Sequence, residues 1–278
     1  MPRTVLVVAA LLALIAGACS SSPRAEPTTA PSNVHDSTAS WSLVDAPGGH
    51  HLLLGVVRAT SPGHHVGILI VTGTEGLNTD YPKFAHELAA RGFDVAFGCW
   101  FSSSGPTTPT DPAIGCADAP QFVGVSDAAV PDLDALVAGA RSVLTDSPTL
   151  ALVGFSRGGG VAMLRATTGA IDPVVSIAGM VEGTTAWGQL PSEVNVVTRA
   201  AGIRAPVLLL HGEDDQLVPV VQARDMEQAL RSMGADVVAK YYPGADHGLA
   251  QIPGVRGDLV GQITEFLCAR YTCATGSQ

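Results

Sequence analysis

The stretch TLALVGFSRGGGV, Thr149 to Val161, runs from an apolar segment straight into three successive glycines, with one hydroxyl set between Gly154 and Gly158. Its first half reads as a buried strand and its second as the start of a helix. A serine at that junction sits on a turn too sharp for ordinary backbone. The positions two residues either side of it must lack a Cβ to clear the strand and the helix. Gly159 and Gly160 further allow the helix to lie close to the sheet. Such a turn lifts the Ser156 hydroxyl above the carboxyl ends of the strands, over a helix N-terminus that favours developing negative charge. A phosphate-binding turn is the competing reading, but no Walker lysine follows and the G-x-G-x-x-G spacing is missing.

Outward from this junction, short apolar runs alternate with helical periodicity. VGILIVTG from Val66, FDVAF from Phe93, PVVSIAG from Pro173, APVLLLHG from Ala205 and DVVAKYY from Asp236 read as strands. HLLLGVVRA from His51 is expected to pair antiparallel with a strand beginning near Trp41, across the turn APGGH. Helices are predicted from Asp80 to Gly92, around Leu133 to Leu144, after Ser156, from Pro219 to Met233 and from Gly257 to Ala269. This order predicts an α/β fold: a mostly parallel central sheet of about eight strands with helices on both faces. The irregular segment 180–201 is too short for a large cap domain, so an open site is expected.

A serine hydroxyl is a poor nucleophile at neutral pH and needs a base. LLLHGEDDQLVP places Asp215 just past one strand end, and YYPGADHG places His247 in the loop after the next. Ser, Asp and His then fall in that order at the carboxyl ends of strands, where open parallel sheets bind ligands. Glu182, after the strand from Pro173, is the competing acid, and His211 reads as structural.

The GFSRGG elbow, the HGxxDxxVP segment from His211 to Pro219 and the PGxxHG segment from Pro243 to Gly248 together resemble the α/β-hydrolases, and within them the dienelactone hydrolase-like branch, over about residues 50 to 270. In that branch the nucleophile is a cysteine. Ser156 stands here, which points to the serine esterases of the group. The pattern Thr72-Gly73-Thr74-Glu75-Gly76 resembles acyl-CoA thioesterase and acyltransferase relatives. The resemblance implies cleavage of a carboxylic ester or thioester through an acyl-enzyme on Ser156. His247 acts as base and Asp215 as its orienting acid, and the backbone N–H groups of Arg157 and Thr74 form the oxyanion hole. It implies no metal and no organic cofactor. Transfer of the acyl group to another acceptor, and a non-catalytic binding protein on the same scaffold, are the alternatives. Glu75, Trp100, Phe101 and Trp187 lie in loops near the catalytic edge and are expected to line the substrate pocket, with loop packing as the alternative. The Arg157 side chain is expected to pair with an acid such as Glu75 or to contact an anionic substrate.

The ends of the chain carry a different message. Arg3, the apolar run Val5 to Ile15 and the small residues Ala16-Gly17-Ala18 before Cys19 read as a signal peptide over residues 1–18. The cysteine at the cut resembles a bacterial lipoprotein site, so export and lipidation of Cys19 are expected, with plain secretion as the alternative. Residues 19–40, rich in Ser, Thr, Pro and Ala, are expected to be a flexible tether, and 41–278 the catalytic domain. Export leaves Cys99, Cys116, Cys268 and Cys273, and proximity favours the pairs Cys99–Cys116 and Cys268–Cys273. With 46% hydrophobic residues the chain can bury a core, and its net charge of −10, without a Lys/Arg cluster, argues against nucleic acid as a partner. The expected partner is a small acyl ester or thioester, and the membrane only through the N-terminal lipid.

Overall fold

The computed structural model describes residues 25–28, 36, 38–47, 49–60, 63–101, 124–185, 188–189 and 193–274. The buried apolar runs become strands β1 (Ala25–Thr28), β2 (Ser40–Ala46), β3 (His50–Val57), β4 (Val66–Val71), β5 (Asp94–Gly98), β6 (Thr149–Phe155) and β7 (Val174–Ile177). Thr184–Thr185 (β8) and Gly188–Gln189 (β9) form a separate two-stranded ribbon, and β10 (Val207–Gly212) and β11 (Val237–Tyr242) complete the main sheet. The helices are α1 (Asp80–Ala89), α2 (Val130–Val143), α3 (Arg157–Ala166), α4 (Val221–Ser232) and α5 (Pro253–Cys268).

Among the described residues the main sheet has nine strands in the order β1-β2-β3-β5-β4-β6-β7-β10-β11. The six from β5 to β11 run parallel, and β1, β2 and β3 are antiparallel. This is the α/β-hydrolase fold, and no cap domain stands over its carboxyl edge among the described residues. One edge strand falls where the sequence reading expects a tether. β1 lies inside the segment read as a tether, yet it pairs with β2, Ala25 opposite Val44 and Thr28 opposite Trp41. An edge strand needs backbone N–H and C=O groups rather than a large apolar face, and Pro27 is tolerated there because one side of the strand is unpaired.

Alternation along the central strands explains why they read as unbroken apolar runs. Leu69, Val71, Leu150, Leu152, Val207 and Leu209 pack into a core layer with Leu133 and Leu136 of α2, Val161 of α3, and Met226 and Leu230 of α4. The alternate residues Ile68, Ile70, Ala151, Val153, Leu208 and Leu210 face Phe84 and Leu88 of α1 and Leu259, Ile263 and Phe266 of α5. Both faces are covered, so both parities must be apolar. Each such side chain contributes about 1.5–3 kcal/mol on burial.

Two helix starts differ from the sequence expectation, which gives the cap of the first helix to Asp80 and the start of the last to Gly257. The Asp80 N–H donates to Asn78 Oδ1 at 2.8 Å, so Asn78 rather than Asp80 supplies the carbonyl that meets α1. α5 begins at Pro253, four residues earlier than expected. Gly254 and Gly257 weaken the local propensity there, and Pro at a first helical position restores the start.

Register brings the functional loops together. Val71 of β4 lies opposite both Gly98 of β5 and Gly154 of β6, so three neighbouring strands end level with one another. The loops that follow them open on the same edge.

Candidate active site

At the end of β6 the chain turns through Ser156, whose φ of 51° and ψ of −121° lie outside the ordinary regions for a residue with a side chain. Its N–H donates to Ile177 O at 2.9 Å, and its carbonyl accepts from Gly160 at 3.1 Å and from Met180 at 3.1 Å. The turn is thus tied to the neighbouring strand end and to its own helix. The glycines act by close approach. A Cβ at Gly154 would lie 2.5 Å from Gly158 O and Gly159 N, and one at Gly158 would overlap the carbonyls of Val71 and Thr72.

His247 approaches from the loop after β11. Its Nε2 lies 3.0 Å from Ser156 Oγ and its Nδ1 lies 2.7 Å from Asp215 Oδ2. A ring nitrogen facing a carboxylate carries the proton, so Nδ1–H donates to Asp215 and Nε2 is left to accept from the serine hydroxyl. Asp215 is buried in the loop after β10. Its Oδ1 accepts from the N–H groups of Leu217 at 2.9 Å and Val218 at 2.8 Å. His211, read from sequence as structural, meets the same carboxylate: its Nε2–H is shared between Asp215 Oδ2 at 3.2 Å and Val218 O at 2.9 Å. Burial alone would raise the Asp215 pKa. Hydrogen bonds from His211 and His247 and from the Val218 N–H outweigh it and hold the carboxyl well below its ordinary range. Glu182, the competing acid, instead faces Asp225, and burial together with that neighbour raises its pKa.

The loop after β4 faces the serine. The Thr74 N–H makes no hydrogen bond among the described residues. The Arg157 N–H opens α3, where no intrahelical carbonyl can reach it. Thr74, Glu75, Ser156, Arg157, Met180, Leu217, Val218 and His247 line a cavity of about 320 Å³. A hydroxyl within reach of an acceptor imidazole, and an imidazole oriented by an ionised carboxylate, can together attack a carbonyl carbon.

Several expected pocket residues stand elsewhere. Glu75 does line the cavity. Trp100 and Phe101 do not: each is 1% exposed, with the rings edge to face at 5.0 Å. The Trp100 indole N–H donates to Thr72 O at 2.7 Å, so the ring holds the loop rather than a substrate. Trp187, Cys116 and Cys19 lie outside the described residues. Arg157 pairs not with Glu75 but with buried Glu193, Nε to Oε1 at 2.6 Å, and its Nη1 donates to Thr74 Oγ1 at 2.9 Å. Glu75 is taken by the Tyr81 hydroxyl, which donates to its Oε1 and accepts from the Gly73 N–H at 2.8 Å. Cys268 and Cys273 are bridged at the end of α5. His64 lies beside them, its ligand atom within 4.8 Å of both sulfurs, but the bridge occupies both; no other three His, Cys, Asp or Glu ligand atoms all lie within 4.8 Å of one another among the described residues.

Residues 54–254 match the model of the dienelactone hydrolase family. The chain belongs to that family. A putative carboxymethylenebutenolidase of Methylorubrum extorquens is 36% identical over 123 residues, 42% of this chain and 40% of that protein. Acyl-protein thioesterase 1 of Gibberella zeae is 31% identical over 100 residues, 35% of this chain and 40% of that protein. The chain thus covers two fifths of the length of each of these relatives. Among solved structures, a putative dienelactone hydrolase from Klebsiella pneumoniae superposes with a TM-score of 0.64 at 22% identity, covering 83% of this chain and 98% of that one. A Pyrococcus furiosus esterase superposes with a TM-score of 0.64 at 17% identity, covering 88% and 99%. The structural likenesses, at 22% and 17% identity, bear on the fold alone.

Proposed function

We propose that this family member is a serine hydrolase that cleaves a carboxylic ester or thioester through an acyl-enzyme on Ser156. The observation that carries the reading is the continuous hydrogen-bonded line Asp215–His247–Ser156. Ser156 Oγ attacks the carbonyl carbon while His247 Nε2 takes its proton. Asp215 holds the ring and stabilises its positive form. The oxyanion forms between the N–H groups of Arg157 and Thr74. The imidazolium then gives its proton to the leaving oxygen or sulfur. Water, deprotonated by the same nitrogen, cleaves the acyl-enzyme and frees the acid. The names of the thioesterase and carboxymethylenebutenolidase relatives support acyl chemistry of this kind. The modest cavity, walled by Met180, Leu217 and Val218, supports short or medium acyl groups. Export over residues 1–18 and lipidation of Cys19 belong to the same proposal, supported by the pattern of the first nineteen residues.

A fluorophosphonate probe tests the reading directly. The parent protein is expected to label at Ser156, and Ser156→Ala and His247→Ala to stay unlabelled. Folded parent protein that takes up no label overturns the proposal. A rate series of p-nitrophenyl esters rising to long acyl chains would contradict the pocket assignment.

A further inference from the structure

The loop that carries the Thr74 N–H is short and contains Gly73 and Gly76, a composition that costs much entropy to fix. A hydrogen-bond donor stabilises a transition state only if it is already in place when charge develops. Three consecutive residues of this loop are each held by a different side chain. Thr72 O accepts from Trp100, Gly73 N–H donates to Tyr81, and Thr74 Oγ1 accepts from Arg157. The first two fix the approach to the donor. The third grips the donor residue itself, and it comes from the residue whose own N–H is the other donor.

We infer that the Arg157 side chain is a positioning residue that sets the spacing of the two oxyanion donors, by clamping Thr74 to the first turn of α3; this rests on the serine-hydrolase reading above. The clamp is anchored behind. Arg157 Nε donates to Glu193, whose side chain is fully buried, and a Cβ at Gly124 would overlap that carboxylate. Val194, next in the chain, donates to Val125 O at 2.9 Å, so the acid cannot swing away with its segment. The planar guanidinium suits the task, because Nε and Nη1 leave it at a fixed angle toward Glu193 and Thr74; a lysine offers no such fork. Glu193 also neutralises the charge beside the nucleophile. Arg157 is therefore placed to hold the loop rather than to recruit an anionic substrate.

The test is steady-state hydrolysis of p-nitrophenyl butyrate by the full chain, normalised to active sites titrated with the fluorophosphonate. Thr74→Val keeps the volume and the backbone N–H and removes only the hydroxyl. It is expected to lower kcat by about 100-fold, the order of loss for a misplaced catalytic group, with KM within about threefold. Thr74→Ser restores the acceptor and is expected to return kcat to within about threefold of the parent. Arg157→Met should lower kcat as Thr74→Val does, and the two together should cost no more than either alone. Because Arg157→Met leaves Glu193 buried without its cation, Arg157→Met/Glu193→Gln takes its place in the cycle if the single variant does not fold. Parent-like kcat in Thr74→Val, or additive losses in the pair, overturns the clamp while the hydrolase reading stands. A parent with no Ser156-dependent turnover overturns that reading and the clamp with it.

Discussion

Two loops converge on Ser156, and they are held in opposite ways. The elbow after β6 is shaped by backbone: Gly154 and Gly158 have no room for a Cβ, and the strained Ser156 is tied by its own N–H and carbonyl to Ile177, Gly160 and Met180. The loop after β4 is shaped by side chains that come from elsewhere: Trp100 past the end of β5, Tyr81 in α1 and Arg157 in α3. The difference teaches where to look for each kind of order. A constraint made of local backbone is written within a few residues of sequence. A constraint made of distant side chains is written only in the fold that assembles them.

The largest expected effect on folding breaks the backbone-held side. Gly158→Ala places a methyl group against the carbonyls of Val71 and Thr72, and neither can retreat without pulling β4 out of the sheet. A loss of about 3 kcal/mol or more is expected, the upper range for overpacking. Urea denaturation of the purified variant measures it, alongside soluble yield. A midpoint equal to the parent's would mean that the elbow has slack and the contrast between the loops is false.

The same division governs what could be read in advance. The strand runs, the elbow glycines and the order of Ser156, Asp215 and His247 were legible because each is a local pattern with a steric or chemical cause. The acid loop belongs with them: in HGxxDxxVP the residues two and three past Asp215 return their N–H groups to its carboxylate. A loop position does not reveal which way a ring packs, so the sequence leaves both a pocket role and loop packing open for Trp100 and Phe101. Once buried, the indole needed a partner for its N–H and found Thr72 O. The sequence offers the Arg157 side chain an acid such as Glu75 or an anionic substrate, but Tyr81, six residues after Glu75, takes that carboxylate and the arginine meets Glu193. Glu193 carries no local signal at all. Strand β1 was hidden for a different reason: composition weighs side chains, and an edge strand is held by its backbone.

Asp215 sharpens the contrast through pH. Its carboxyl is held well below the ordinary 3.8, so the ionised form contributes folding stability above about pH 4, and this is lost as pH falls through and below that value. Asp215→Asn removes the contribution. The variant is expected to show a shallower loss of stability on acidification, measured by thermal melts between pH 3 and 6. At neutral pH its kcat should fall on the order of 10⁴-fold, the consequence of losing the acid that orients the imidazole. An unchanged acid slope would mean that other carboxylates set the acid limb of the stability curve.

Tyr81→Phe is the smallest change and the finest test of the side-chain-held loop. The phenol is buried, and burial together with the Glu75 carboxylate pushes its pKa well above 10, so it stays neutral and serves as both donor and acceptor. Removing one oxygen strips the Gly73 N–H of its acceptor and Glu75 of its donor, while the ring keeps its edge contact with Phe155. The stability cost should be about 1–2 kcal/mol, that of one buried group left unpaired. If the loop owes its geometry to distant side chains, the rate must move as well, by about tenfold in kcat at nearly constant KM, since the Thr74 N–H is the next residue along. Gly158→Ala should act mainly on folding and Tyr81→Phe on both folding and rate. Comparing the two in one assay weighs the loops against each other. A Tyr81→Phe protein that melts earlier but turns over at the parent rate would show that Trp100 and Arg157 suffice to hold the donor, and that the phenol serves the fold alone.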